Sequence, residues 1–165
     1  PFGEGLENIT ISTTEDYVDI CEFLQFQLAE IGIKIAIDVI PGGAYREMMA
    51  NSKLLFFRGS WVADYADAEN YLSLFNSANF SPSGPNYTHF SNYSYDSLYA
   101  YSQHQPYDSL RFLAYRAMDS LVMDSAPVIP MYYDKVVRFV SKDIEGLTHN
   151  PMNLLTLKRI KKKRL

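Results

Sequence analysis

The 165-residue chain is poor in the residue types that build covalent and metal-bound sites. Its single cysteine, Cys21, excludes an internal disulfide and a metal site made from clustered cysteines. The three histidines, His89, His104 and His149, do not pair at metal-ligand spacing, so we expect them on the surface. The sequence therefore predicts no metal and no cofactor.

Long apolar runs are also missing. No stretch approaches the ~20 apolar residues that a membrane span requires, and no secretory signal pattern precedes the first predicted strand. Because the chain starts at Pro1 rather than at methionine, we expect a processed or excised piece of a longer protein.

Charged residues make up 21% of the chain, and the formal net charge is −4. Six of the 15 basic residues lie in the last eight positions, so the remaining chain carries 9 basic and 19 acidic residues, a net charge of −10. Such an acidic body disfavours nucleic acid, because phosphate binding needs a concentrated basic surface. We expect the basic tail to be a solvated terminus, with an anionic membrane or nucleic acid as alternative contacts.

The hydrophobic content of 47% is typical of a globular domain. Aromatic residues reach 15%, with 13 tyrosines and 10 phenylalanines. Tyrosine combines an apolar face with a polar tip, so this load suits either a recognition surface or a half-exposed packing shell.

The order of apolar patterns predicts alternating strands and helices in the first third of the chain. Strands are predicted at 7–12, 33–39 and 54–57, and helices at 14–31 and 45–51, with Gly32 ending the first helix and Pro41-Gly42-Gly43 breaking the second strand. Alternation of this kind predicts an α/β fold with a largely parallel sheet.

The remainder is predicted to be mostly helical, with strands at the end. Helices are expected at 67–76 and 95–102 and from Asp108 or Ser109 to 121, an irregular surface loop at 76–92, and strands at 127–133 and 136–140. Pro130 would confine the first of these strands to a sheet edge.

The residues that follow the third predicted strand suggest a binding site. Arg58, Trp61 and Asp64 bring a cation, an indole and an anion within seven positions. Ligands in open α/β sheets bind beyond the carboxyl ends of strands, so this group could hold a zwitterionic or amphipathic small molecule. The alternative is a strand end with solvated charges and a half-buried tryptophan.

Catalytic patterns are weak. Asp64 and Asp67 could divide acid and base roles in a hydrolase, but Asp67 is better explained as a cap of the following helix. Cys21 lies on an apolar helix face, which indicates an inert core thiol. Gly42-Gly43 lacks the Lys-Ser/Thr of a phosphate loop, and no serine nucleophile elbow occurs. We therefore predict no catalytic residues.

Four collinear passages resemble the carboxyl-terminal part of the bacterial family 5 extracellular solute-binding proteins, which are the peptide-binding components of ABC importers. The passages are 17–39, in which a helix passes through Ile-Gly-Ile into a strand; 59–67 (GSWVADYAD), followed by Asn70-Tyr71-Leu72 and Phe75; 92–98 (NYSYDSL); and 111–133, which contains DSAPVIPMYY. The sequence departs from the family pattern at Ala68, where proline is common.

The resemblance implies an α/β fold of the type II periplasmic-binding-protein kind, namely a lobe with a mixed sheet flanked by helices. Residues 1–150 would form the carboxyl-terminal ligand-binding lobe. Residues 151–165 would be a terminal strand and basic tail that returns toward a first lobe outside this chain.

The resemblance also implies a function, which is peptide capture for ABC-type import without catalysis. Asp64 would neutralise the ligand's amino terminus, Arg58 would meet its carboxylate, and Trp61, with Tyr65 and Ser60 beside it, would line the cleft. The implied partner is a membrane permease, and the implied location is the periplasm or the cell surface, with any lipid anchor outside this chain. Relatives that carry oligosaccharides or metal chelates supply the alternative ligands.

Overall fold

A computed structural model describes residues 6, 8–150 and 154–163. The first unit is β1 (Ile9–Thr13), a 3₁₀ turn (Glu15–Tyr17), α1 (Val18–Glu30) and β2 (Ile35–Val39). The two strands pair in parallel, from Ile9 opposite Ile35 to Thr13 opposite Val39. This βαβ arrangement confirms the predicted order of the first elements.

The predicted end of α1 is also confirmed. Gly32 adopts φ +84°, a left-handed conformation that glycine reaches without a steric penalty. The chain then turns back so that Ile35 packs beside Ile11 and Cys21, and all three side chains are buried. Cys21 is fully enclosed in this β-side core, which agrees with the predicted inert thiol.

The helix after β2 begins earlier than predicted. Helix α2 spans Gly42–Ala50, so both glycines lie inside its first turn instead of before it. Pro41 precedes the helix, and its carbonyl accepts the N–H of Tyr45. The break in the strand therefore comes from Pro41, which lacks a backbone donor, and the glycines are tolerated where the first N–H groups have no intrahelical partner.

The predicted buried strand at 54–57 is wrong. This segment makes a single bridge, in which Phe57 lies beside Ser12 of β1, and Leu55 is completely exposed. The Ser12 N–H donates to the Phe56 carbonyl at 2.9 Å, and Arg58 N–H donates to the Ser12 carbonyl at 3.0 Å. A strand needs a partner backbone along its length, and this segment reaches β1 only at its last residues, so its apolar composition was misleading.

The middle part of the chain, residues 69–125, is mostly helical. It contains α3 (Glu69–Leu72), 3₁₀ turns at Ser73–Phe75 and Ser77–Asn79, α4 (Tyr93–Gln103) and α5 (Asp108–Ser125). These helices enclose a second core that includes Tyr95 and Met118, both completely buried. Phe75, Phe90 and Tyr95 meet edge to face, with ring centroids 5.5–6.4 Å apart.

The predicted loop at 76–92 is irregular, as expected, but it is not only a surface feature. Asn86 is completely buried, and its amide donates to the carbonyls of Asn76 and Phe90, each at 3.0 Å. The exposed His89 stacks on Phe80 and lies 3.0 Å from the hydroxyl oxygens of Ser52 and Ser81. All three histidines are exposed, as predicted.

The two strands predicted at 127–133 and 136–140 are wrong. Within the described ranges these residues pair with no strand, and Tyr133 and Phe139 are almost fully exposed. Near the end, the described residues form one antiparallel ladder, between β3 (Ile144–Glu145) and β4 (Lys161–Lys162). The fold is α/β, and its parallel and antiparallel pairs lie in separate two-stranded sheets. No helix in the described part of the chain is long and apolar enough to cross a membrane.

Candidate functional site

A loop of residues 58–68 connects the β-side core to the helical half, and it carries all five predicted site residues. The hydroxyl of Tyr45, which is buried, donates to the Arg58 carbonyl and lies 3.4 Å from the Ser12 carbonyl oxygen. Burial raises the pKa of Tyr45 to about 12, although the nearby Arg58 guanidinium opposes the change. The start of the loop is thus fixed to β1 and α2.

The Arg58 side chain lies against the fold. Its guanidinium carbon is 3.3 Å from the centroid of the Tyr17 ring, a cation–π contact. Its Nη1 donates to the hydroxyl of Ser60 at 3.1 Å. Two of the predicted site residues, Arg58 and Ser60, are therefore in direct contact.

Trp61 and Asp64 are joined through a residue that sequence reasoning did not identify. The Trp61 indole N–H donates to Oδ1 of Asn70 at 2.7 Å, and the Asp64 backbone N–H approaches the same oxygen at 3.3 Å. Asn70 is 4% exposed, whereas Trp61 is half-buried. One buried amide oxygen thus fixes both the indole and the backbone at Asp64.

The side chain of Asp64 is exposed. Among the residues that the structure describes, it accepts no hydrogen bond and forms no ion pair, with Arg58 or with any other cation. The structure brings Arg58 to Ser60, and Trp61 to the backbone of Asp64, but it does not pair Arg58 with Asp64.

The neighbouring acid, Asp67, is fully engaged. Its Oδ1 accepts the N–H of Glu69, the first residue of α3, at 2.9 Å, which confirms the predicted structural role. It also accepts hydrogen bonds from Arg111 and Tyr115 of α5. Burial alone would raise the pKa of the Asp67 carboxyl, but these donors outweigh it and hold the pKa below its ordinary value.

The third acid, Glu69, accepts hydrogen bonds from the hydroxyls of Tyr65 and Tyr99. The bond to Glu69 raises the pKa of Tyr65, with a smaller opposing effect from the Asn70 side chain. For Tyr99, burial comes first and the bond to Glu69 second, and both raise the pKa of its hydroxyl. Tyr65, a predicted site residue, is therefore held by α3.

A polar cavity of about 310 Å³ lies beside this loop. It is lined by residues from the end of the loop and by α4, α5 and the turn between them, including Tyr65, Asp67, Glu69, Gln103 and Arg111. Tyr65 is the only one of the five predicted site residues in its wall. No group of three or more potential metal ligands occurs in the part of the chain that the structure describes.

Sequence reasoning missed Asn70, Glu69, Tyr99 and Arg111. Asn70 follows the GSWVADYAD passage by three positions, but nothing in an isolated asparagine distinguishes a buried acceptor from a surface amide. Arg111 and Tyr99 lie 44 and 30 positions from the carboxylates they contact, so local spacing does not reveal either pairing.

The structure thus places an exposed acid and a half-buried indole on a loop between two packed cores. The family model described as "Bacterial extracellular solute-binding proteins, family 5 Middle" matches residues 2–83, about half of the chain. The chain belongs to this family of bacterial solute-binding proteins.

Two curated relatives support this membership. The dipeptide-binding protein DppE of Bacillus subtilis is 25% identical over 151 residues, which cover 91% of this chain and 27% of that protein. The glutathione-binding protein GsiB of Escherichia coli K12 is 28% identical over 135 residues, which cover 77% of this chain and 26% of that protein. The chain thus spans about a quarter of the length of these relatives.

The fold has a close counterpart among solved structures. The murein tripeptide binding protein MppA of Escherichia coli superposes with a TM-score of 0.78, at 20% identity, over 96% of this chain and 31% of MppA. The predicted fold, a lobe of the periplasmic-binding-protein kind, is confirmed by this match.

Proposed function

We propose that this chain is the ligand-binding lobe of an extracytoplasmic solute-binding protein that captures peptides for ABC-type import. In this proposal the Asp64 carboxylate pairs with the ligand's N-terminal ammonium, and the Arg58 guanidinium meets its carboxylate. Trp61, Tyr65 and Ser60 contact the ligand between these two charges.

One observation carries the proposal: of the three acids at the end of the loop, only Asp64 lacks a partner among the described residues. Asp67 is bound by Arg111 and Tyr115, and Glu69 by two tyrosine hydroxyls. The backbone N–H of Asp64 lies 3.3 Å from the Asn70 side-chain oxygen, and its exposed carboxylate has no partner among the described residues. A ligand ammonium would form a charge-assisted hydrogen bond with such a carboxylate, and this bond is stronger where water is excluded.

The relatives support a peptide as the ligand. The names of DppE, GsiB and MppA refer to a dipeptide, to glutathione and to a murein tripeptide. These ligands are short and carry free charges, which fits an isolated carboxylate and a guanidinium on one loop. Oligosaccharides and metal chelates remain the alternative ligands for the same scaffold, and the experiment below includes them.

A hydrolase that uses Asp64 and Asp67 is disfavoured by the state of Asp67. A general acid needs a raised pKa, whereas the pKa of Asp67 is lowered and its oxygens are occupied by three donors. The matched proteins are also named for binding, in agreement with a non-catalytic role.

The proposal extends to the surroundings of the intact protein. We infer that it acts outside the cytoplasm and delivers its ligand to a membrane permease. Residues 1–150 would form the lobe, and residues 151–165 would return toward a first lobe that completes the cleft. The antiparallel pairing of β4 with β3 supports contact between the described part of this tail and the lobe.

Isothermal titration of the intact protein with short peptides tests the role of Asp64. Asp64→Asn keeps the shape of the side chain and removes its charge, so we expect affinity for peptides to fall by about 30-fold or more, as when one partner of a desolvated ion pair is removed. Asp38→Asn, at an exposed position of β2, is the matched control and should leave the affinity unchanged.

Oligosaccharides and metal chelates are titrated in parallel. Peptide binding that Asp64→Asn weakens and Asp38→Asn does not would support the proposal. Equal affinities of the wild type and Asp64→Asn for peptides would contradict the ammonium-binding role, and tight binding of a sugar or chelate without peptide binding would replace the ligand class.

A further inference from the structure

We propose that Asn70 is the positioning residue of the ligand-binding loop. Its amide oxygen would hold the Trp61 indole and the backbone of Asp64 in the one arrangement that presents the Asp64 carboxylate to the ligand. This inference rests on the proposed function, and it assigns a specificity-determining role to a residue that would not touch the ligand.

The side-chain oxygen of Asn70 accepts two hydrogen bonds from the loop. A carbonyl oxygen has two lone pairs, and here they receive the indole N–H at 2.7 Å and the Asp64 N–H at 3.3 Å. Both donors belong to the loop, and the acceptor is only 4% exposed, so water competes poorly for either bond.

Asn70 is itself held from several directions. Its N–H donates to the Asp67 carbonyl at 3.2 Å, and its own carbonyl accepts the Ser73 hydroxyl at 2.9 Å. Asp67 in turn is fixed to α5 through Arg111 and Tyr115. The position of Asp64 is therefore set by α5 through Asp67 and Asn70, at the far end of the loop from its attachment at Tyr45.

The side chain of Asn70 is neutral, whereas three acidic residues lie within six positions of it. These are Asp64, Asp67 and Glu69. A neutral acceptor satisfies both N–H groups without adding a fourth charge, and an apolar residue would leave both donors without that partner. Asparagine thus supplies the required acceptor at the lowest electrostatic cost.

The test measures selectivity for a free amino terminus in the intact protein. The quantity is the ratio of affinities for a dipeptide and for its Nα-acetylated form, determined by calorimetry for each variant. Asn70→Leu should lower this ratio about tenfold, which corresponds to the loss of one or two hydrogen bonds. Asn70→Asp retains an acceptor oxygen but adds a fourth negative charge, so it should recover only part of the lost ratio.

Asn86→Leu is the matched structural control. Asn86 is also buried and hydrogen-bonded, but its partners are Asn76, Thr88 and Phe90 in the 76–92 loop. This variant should lower the thermal midpoint and leave the ratio unchanged. If Asn86→Leu and Asn70→Leu reduce the ratio equally, general loss of stability explains the effect and the proposal is overturned.

Fluorine NMR of the Trp61 indole reports directly on its surroundings. With 5-fluorotryptophan incorporated, the Trp61 resonance is identified by its loss in Trp61→Phe. Asn70→Leu should shift this resonance, and Asn86→Leu should not. In the Trp61→Phe background, which has no indole donor, Asn70→Leu should reduce the ratio further by only a few-fold, through the Asp64 N–H alone.

The two proposals fail in different ways. If Asp64→Asn leaves the ratio unchanged, the ammonium-binding role that the proposed function gives to Asp64 is wrong. If Asp64→Asn abolishes selectivity but Asn70→Leu keeps both the ratio and the Trp61 resonance, only the positioning role is wrong. Should Asn70→Leu fail to fold, Trp61→Phe decides: an unchanged ratio in that variant contradicts the role of the indole bond.

Discussion

Asp64, Asp67 and Glu69 lie within six positions of one another, yet their carboxylates have different surroundings. Asp67 meets an arginine, a tyrosine and a backbone N–H, and Glu69 meets two tyrosines. Asp64 is exposed, and only its backbone is bound. The same side-chain chemistry thus serves structure at two positions and, in our proposal, binding at the third.

The Asp67 carboxylate should make the free energy of unfolding depend on pH in the acidic range. Its folded pKa is lowered, so its stabilising contribution is complete above the unfolded pKa, about 3.9, and is lost as the pH falls through the folded pKa. We expect Asp67→Asn to be less stable than the wild type at pH 7. The difference should shrink below about pH 4.

Urea unfolding followed by circular dichroism from pH 2.5 to pH 7 measures this dependence. Asp38→Asn, at an exposed position of β2, should follow the wild type throughout. A gap between Asp67→Asn and the wild type that stays constant over the whole range would show that the Asp67 charge is not the source of the stabilisation.

At the scale of the elements, the loop at 76–92 is packed although it has almost no regular structure. A Cβ at Gly84 would collide with the backbone carbonyl of Asn79, whereas a Cβ at Gly43, in the first turn of α2, would meet no atom within 4 Å. The backbone around Gly84 therefore has no room for a side chain, whereas Gly43 has room for one.

Alanine at these positions should have opposite effects. We expect Gly84→Ala to lower the free energy of unfolding by about 1–3 kcal/mol, because the backbone on both sides must shift. Gly43→Ala should raise it by about 0.4–1 kcal/mol through the lower entropy of the unfolded chain. Chemical denaturation compares the two variants. A neutral Gly84→Ala would mean that the loop adjusts easily.

The elements that the sequence predicts well are those with a local signal. The α1 helix, its end at Gly32 and the alternation in β2 depend on spacing and on one backbone conformation. The segments at 54–57 and 127–140 are apolar enough for strands, but strand formation depends on a partner that local pattern does not contain. The same limit hides Asn70 and Arg111, whose roles arise from contacts made after folding.

At the scale of the whole molecule, the segment at 127–140 exposes several large apolar side chains. Tyr133, Val137 and Phe139 are each at least 75% exposed. Exposed apolar side chains of this kind promote association between chains. We expect the 165-residue chain, studied alone, to self-associate as its concentration rises.

Sedimentation equilibrium measures this association. The double substitution Val137→Lys/Phe139→Lys should shift the chain toward the monomer. Tyr93→Lys, which changes an equally exposed aromatic residue of α4, should not. A monomeric wild-type chain at all concentrations would contradict the prediction.

The family and fold were accessible from four collinear passages, because the order of motifs carries information that no single motif has. The arrangement of the candidate site was less accessible. The spacing of Arg58, Trp61 and Asp64 within seven positions suggested one group, but the structure separates an arginine held by Tyr17 and Ser60 from an aspartate whose backbone contacts Asn70. Sequence proximity does not fix the direction of side chains on an irregular loop.

The central claim is that the Asp64 carboxylate recognises a free amino terminus. Calorimetric titration of the intact wild-type protein with a dipeptide and with its Nα-acetylated form tests this claim most directly. We predict that acetylation weakens binding by about 30-fold or more, because it removes the positive charge that pairs with the carboxylate. Equal affinities for the two peptides would contradict the account.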